Sequence, residues 1–293
     1  MITWSTAWTT AAAHDEDVWA AAVVGDRRTA VTVGSEGTAH LWDLADGRRL
    51  ATWAGDGRLW SVTVADIEGR PHALIGSDWS LSLWDLTTLS PAGVLDGIET
   101  EVWAVAVAQL DGRPHALASD DDQTIRVWDL TTRQQTAALT EFTTFVMDAA
   151  VMGTDAVTSH VDGEINLWDL TTGSRTATFT GMKAECWSVD FDAAYVVGSG
   201  HDETVRVWSR ATGEELGLLT GHEGTVGDVK LITTAEGTRV ITGGEDGTIR
   251  TWNPATLKES GPLLRLPSPI LALAPTPDGH LLTGYGDTLA LLR

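Results

Sequence analysis

Thr124-Ile125-Arg126-Val127-Trp128-Asp129 is one beat of a rhythm that runs down the chain. Its Trp-Asp ending recurs as Trp42-Asp43, Trp84-Asp85 and Trp168-Asp169, and in looser form as Trp208-Ser209 and Trp252-Asn253. The steps are 42, 44, 40, 40 and 44 residues. One more step of 40 from Trp252 reaches Leu292, where Thr288-Leu-Ala-Leu-Leu292 imitates Thr248-Ile-Arg-Thr-Trp252. A period of about 40–45 residues with this signature marks a four-stranded propeller blade. Seven units account for the 293 residues, so the chain reads as all-β, a seven-bladed propeller forming one domain over 1–293.

Each unit opens on a short apolar run, such as Val18-Trp19-Ala-Ala-Ala-Val23, Leu59-Trp60-Ser-Val-Thr-Val64, Val102-Trp103-Ala-Val-Ala-Val107 or Cys186-Trp187-Ser-Val-Asp-Phe191. Runs this short and rich in β-branched residues are strands buried on both faces. The innermost strand of a blade needs that pattern, because its sheet packs against two neighbours. Tight turns follow at Asp162-Gly163 and Asp246-Gly247, where Gly accepts positive φ and Asp bonds its own backbone. No stretch of useful length has the helical period.

The two ends of the chain complement each other. The seventh unit stops at Arg293, just past its third strand, while Ile2-Thr-Trp4-Ser-Thr-Ala-Trp8 precedes the first unit without a place in it. Residues 2–9 are therefore predicted to supply the missing outer strand, with Trp4 and Trp8 packed there. Blade 7 would combine about 265–293 with 1–12. Closure of this kind removes an exposed sheet edge that would invite aggregation.

The pattern resembles the WD40 repeat family over the full chain. In that family a blade is often braced by His before the inner strand, Ser or Thr on the second strand, Asp in the next turn and Trp on the third. Here His222, Thr242, Asp246 and Trp252 match all four positions in the sixth unit. The fourth unit has Thr158, Asp162 and Trp168, and the first has Thr32, Glu36 and Trp42, and the His is read as missing from both. A buried indole N–H and a buried carboxylate each need a partner, and a His can join them. The repeated wording Gly-Arg-Pro-His-Ala-Leu at 69–74 and 112–117 resembles bacterial WD40 proteins of the actinobacterial type. There such propellers often accompany signalling ATPases or kinases, so this chain is expected to be free-standing or an excised domain. The resemblance implies a scaffold for protein–protein interaction.

Bulk properties narrow the function. The formal charge is −22 and the isoelectric point about 4.5. That field disfavours nucleic acid and anionic membrane surfaces, which need basic patches, and favours basic partners. No apolar run approaches the ~20 residues that span a membrane, and residues 1–13 do not read as a signal peptide. Cys186 is the only cysteine, so no internal disulfide can form. The expected location is cytoplasmic. The eight histidines include no close ligand pair, and no phosphate loop or Gly-x-Ser-x-Gly is present. No catalytic residue, metal or cofactor is expected, and the reading leans away from an enzyme.

Two surface features remain. Loops entering the inner strands, and turns between second and third strands, should share one face of the ring and make it acidic. A binding rim is expected at Trp79, Asp15, Glu16, Asp17, Glu99, Glu101 and Asp121, with Trp79 as an aromatic anchor on a turn. Trp19, Trp60, Trp103 and Trp187 recur at one early position on the inner strands, with Met147 in the same place. They either fill gaps near the channel mouth or line a pocket whose Trp faces and carboxylates suit a small cationic ligand or a cationic intermediate. A channel closed by Trp rings favours the scaffold; a cavity of about 300 Å³ with convergent carboxylates favours the pocket.

Overall fold

The computed structural model describes residues 4–25, 28–140 and 142–293. These residues form seven antiparallel sheets, each of one inner, two middle and one outer strand. In blade 1 the strands are Val18–Val23, Thr29–Gly34, Thr38–Asp43 and Arg49–Ala54. Blades 2 to 6 repeat this meander, with inner strands Leu59–Ile67, Val105–Leu110, Val146–Met152, Cys186–Phe191 and Val226–Thr234. The outer strand of blade 6 is split into Lys258–Glu259 and Leu264–Arg265. Among the described residues there is no helix, and hence none long and apolar enough to cross a membrane.

Blade 7 is built from both ends of the chain. Ile270–Pro275, Leu281–Tyr285 and Thr288–Leu292 are joined by Thr6–Thr10, which pairs antiparallel with Thr288–Leu292. Ser5 and Arg293 extend the ladder by exchanging backbone hydrogen bonds at 2.8 Å each. Ile2 and Thr3 lie outside the described residues. Trp8 packs against Trp42 and Leu44 of blade 1 and donates its indole N–H to the Leu44 carbonyl at 2.9 Å. Trp4 packs against the cluster shared by blades 6 and 7.

Among the described residues the core consists of seven apolar clusters, one at each blade–blade interface. A recurring Trp packs in six of them, and Leu292 takes its place between blades 6 and 7. Trp42, Trp128, Trp168, Trp208 and Trp252 are all buried. Their indole N–H groups explain why the bracing is optional. In blades 1, 4 and 6 the acceptor is a threonine hydroxyl, on Thr32, Thr158 and Thr242. In blades 3 and 5 the backbone carbonyls of Asp96 and Thr180 accept instead, so the buried donor stays paired.

The inner strands carry a shared irregularity. Register shifts at Trp19, Trp60, Met147, Trp187, Gly227 and Leu271 interrupt the ladder one residue into each strand. A bulge re-aims the side chain it carries; here five of these residues are turned into the channel mouth. Blade 3 differs from the expectation of a strand from Val102. Its inner strand starts at Val105, because Val102 N–H bonds Ser77 of blade 2 and Ala104 N–H bonds the Ser119 hydroxyl.

Candidate functional site

The rim forms one arc of contacts from blade 1 to blade 3. Glu16 accepts the Ser35 hydroxyl at 2.7 Å, which ties the exposed Asp15–Asp17 segment to the first turn of blade 1. That turn reaches blade 2 through Gly55 N–H and the Gly37 carbonyl at 2.9 Å. Asp56 then accepts the Ser77 hydroxyl, and Asp78 accepts the Arg58 N–H at 3.0 Å. Arg58 spans from Asp78 at 3.4 Å to Glu101 at 3.9 Å. Asp121 N–H bonds the Thr100 hydroxyl at 3.2 Å, which brings in Glu99 and Asp121, both exposed. Trp79 stands on this arc and is 60 % exposed. Its backbone N–H is held by the Ser77 hydroxyl at 3.2 Å, so an anchored turn presents a free ring.

Two groups lessen the negative charge of the arc. Arg58, 55 % exposed, neutralises part of Asp78 and Glu101. Next to Asp121, Asp120 is buried against Asp122; burial first, then that neighbour, raises its carboxyl to about 7 against the pull of Arg126. Arg126 contacts both acids, at 3.1 and 2.6 Å.

The channel mouth holds four indoles in a row. Trp187 and Trp19 have centroids 6.5 Å apart, Trp19 and Trp60 5.3 Å, and Trp60 and Trp103 4.5 Å. Trp187 and Trp19 belong to blades 5 and 1, which are not neighbours in the ring, so the rings meet across the mouth. Arg58 already covers the Trp60 face at 4.8 Å, Trp60 donates to Asp78 at 2.9 Å, and Trp187 donates to Glu185 at 3.2 Å. The Trp faces are thus largely spent on each other and on an internal cation.

A cavity of about 230 Å³ is lined by these four Trp and Met147, and by Asp148, Ser188, Asp228 and Lys230. It is lopsided. Blades 4 to 6 carry Asp148, Ser188 and Asp228 at the third position of the inner-strand run, whereas blades 7, 1 and 3 carry Ala272, Ala20 and Ala104 there. Ser188 Oγ lies 3.0 Å from both Asp148 and Asp228, and Lys230 Nζ donates to Asp228 at 2.7 Å. Each acid also accepts a backbone N–H from the next blade: Asp148 from Val189, Asp190 from Leu231 and Asp228 from Leu273, at 2.7–3.1 Å. Burial raises the carboxyl of Asp190 to about 6 and raises that of Asp228, while Lys230 opposes both. These acids were visible in the inner-strand runs as charges inside otherwise apolar strands, a signal that sequence reasoning passed over.

The bracing networks need one correction. In blade 6, His222 Nε2 and Thr242 Oγ1 are 2.7 Å apart, Nδ1 lies 3.1 Å from Asp246 and Trp252 donates to Thr242 at 3.0 Å. Burial opposes the Asp246 charge, but Thr248, the Glu223 N–H and His222 outweigh it and hold its pKa at about 2. Blade 1, expected to lack the His, has one. His14 Nε2 meets Thr32 Oγ1 at 2.7 Å, Nδ1 meets Glu36, and Trp42 donates to Thr32 at 2.7 Å. His14 precedes Val18 by four residues, as His222 precedes Val226, so the spacing could have revealed it. In blade 4, Phe142 occupies that position and packs on Trp168 at 4.8 Å. His14, Glu36 and His40 also form a cluster whose donor atoms all lie within 4.8 Å of one another.

The family model "WD domain, G-beta repeat" matches residues 89–129, 173–209 and 213–253. No curated protein matches the chain. The matched segments run from the last strand of one blade to the third strand of the next, in three of the blades. With three repeats matched in sequence and seven sheets closed in a ring, the chain is a WD40-repeat β-propeller.

Proposed function

We propose that this propeller is a non-catalytic binding scaffold whose acidic rim takes a basic segment of a partner protein or peptide. WD40 propellers generally bind proteins or peptides. The observation that carries the finer reading is Trp79, 60 % exposed on an anchored turn, with Glu99, Glu101, Asp121 and the Asp15–Asp17 segment along the same arc. An exposed Trp of this kind is the residue type most enriched at interface hot spots. Acids around it steer a basic partner and raise the association rate in a salt-dependent way. The test is binding of Lys/Arg-rich and Glu-rich peptide libraries, and of a pulled-down partner, at two salt concentrations. Trp79→Ala should weaken binding by more than ~1 kcal/mol, and charge reversal at Glu99 and Glu101 should mainly slow association. Binding indifferent to both substitutions and to salt moves the site off this rim.

A second reading uses the channel mouth for a small cationic ligand. It rests on the cavity lined by Trp19, Trp60, Trp103, Trp187, Met147, Asp148 and Asp228. It ranks lower because the Trp faces contact each other and Arg58, and the carboxylates already accept backbone N–H groups. Saturable binding of a small organic amine, abolished by Asp148→Asn, would reverse the ranking.

A further inference from the structure

Blade 1 departs from blades 3, 5 and 6 at one position. Two residues before the repeat Trp, blades 3, 5 and 6 carry Arg126, Arg206 and Arg250. Arg126 and Arg206 reach back to turn acids, Asp122 at 2.6 Å and Asp202 at 4.0 Å. Blade 1 has His40 there, and in the turn it has Glu36, one methylene longer than Asp. Where blades 3, 5 and 6 carry a fixed cation, blade 1 sets two imidazoles beside a carboxylate.

The three side chains converge. The His14 and His40 rings are 4.3 Å apart, centroid to centroid. Glu36 Oε1 contacts His14 Nδ1 and the Thr38 hydroxyl, and His40 Nε2 lies 3.3 Å from that same hydroxyl. The Glu36 side chain is only 10 % exposed, yet its other oxygen, Oε2, is buried without a hydrogen-bond partner. A buried carboxylate oxygen left unpaired is costly, and a cation is what satisfies it. Space for that carboxylate exists because residue 34 is glycine: a Cβ there would stand 2.1 Å from Oε2.

We infer that His14, Glu36 and His40 form a site for a borderline divalent transition metal of the zinc class, bound through His14 Nδ1, a Glu36 oxygen and His40 Nε2. Two imidazoles and one carboxylate suit such an ion, and water completes its coordination. The outer shell fits as well. A metal-bound imidazole donates its second N–H to a fixed acceptor. Thr32 Oγ1 is 2.7 Å from His14 Nε2, and Thr52 Oγ1 is 3.0 Å from His40 Nδ1. The exposed Asp15 and Glu16 add negative potential nearby, and Arg49, which also acts on both imidazoles, opposes it. In blade 1 the ion would replace the positive charge that the arginine carries in blades 3, 5 and 6. This site does not depend on the rim reading.

The test titrates the chelator-stripped chain with zinc chloride alone, by calorimetry and by thermal melting. The expected result is one zinc per chain and a melting temperature raised by several degrees, as ligand linkage requires. Cobalt(II) should saturate at the same stoichiometry with a visible absorption band. His40→Arg installs the residue of blades 3, 5 and 6. It should weaken zinc binding at least ~10-fold with the metal-free melting curve retained, and His40→Asn serves if that variant folds poorly. Arg49→Gln should tighten binding several-fold. His201→Asn, a half-exposed histidine beside Glu185, should leave it unchanged. No stoichiometric uptake, or uptake that survives both His40 variants, overturns the inference.

Discussion

The indole N–H of Trp60 donates to Asp78 Oδ1 across 2.9 Å, linking an inner strand of blade 2 to the turn that presents Trp79. The same carboxylate accepts the backbone N–H of Arg58 at 3.0 Å and faces its guanidinium. One side chain therefore sets both the channel mouth and the exposed anchor.

Asp78→Ala should destabilise the chain by about 1–2 kcal/mol, because it leaves the Trp60 and Arg58 donors without their acceptor. Urea denaturation measures the loss. The Trp emission of the folded state should shift as well, since Trp60 loses its hydrogen bond. An unchanged spectrum and midpoint would show that the turn holds itself.

Asp246→Ala tests the blade 6 network. Asp246 receives Thr248, Glu223 N–H and His222, and its removal leaves the Glu223 N–H without that acceptor and His222 Nδ1 with only the Thr248 hydroxyl, 3.1 Å away. The expected cost is roughly 1–3 kcal/mol. A midpoint within error of the parent would mean that packing alone holds the blade.

Deletion of residues 1–10 should lower the melting temperature markedly and promote aggregation. It removes the strand Thr6–Thr10 from its pairing with Thr288–Leu292 and takes Trp8 away from Leu44. The exposed strand edge is then free to pair with another chain. A melting curve like the parent's, with no aggregation, would contradict the closure.

Asp190 sets a pH signature. Its folded pKa of about 6 lies above the unfolded value, so the folded state holds a proton that the unfolded chain releases. Its contribution to stability is complete below about pH 4 and is lost as pH rises through 6. Buried His40 and His160, both held at about 4, work in the opposite sense, since their contribution is lost as pH falls from 6.5 towards 4. Asp190→Asn removes the acid's counterweight. The variant should therefore lose stability faster than the parent on going from pH 7 to pH 4, by on the order of 1–3 kcal/mol. Parallel stability–pH curves for the two proteins would refute this.

The Trp-Asp beat was enough to read seven blades, their strand order and the closing role of the N-terminal strand. Each blade is a local meander, so its pattern lies within about 40 residues of sequence. The same locality made the His222–Asp246 brace readable, because both positions belong to one repeat. His14 stands at the same offset, four residues before its inner strand, and completes the set already read as Thr32, Glu36 and Trp42. Trp79 and the acids of the rim could be named one by one. That Arg58 lies among them, bound to Asp78 and Glu101, could not.

What the sequence determined by itself is the repeat, and with it the ring: apolar inner strands, a Trp at six of the seven blade interfaces and turns at fixed offsets. What only the tertiary structure decided is what the ring brings together across its axis and between its strands. Bulges at Trp19, Trp60 and Trp187 aim indoles from distant blades at one another. Asp148, Ser188, Asp228 and Lys230 from blades 4 to 6 share one channel wall. His14, Glu36 and His40 meet because a loop, a turn and a strand converge at the top of blade 1. A 40-residue period records which residue each blade contributes; the distances between contributions depend on closure and on the local twist that bulges impose, and neither is written in the period.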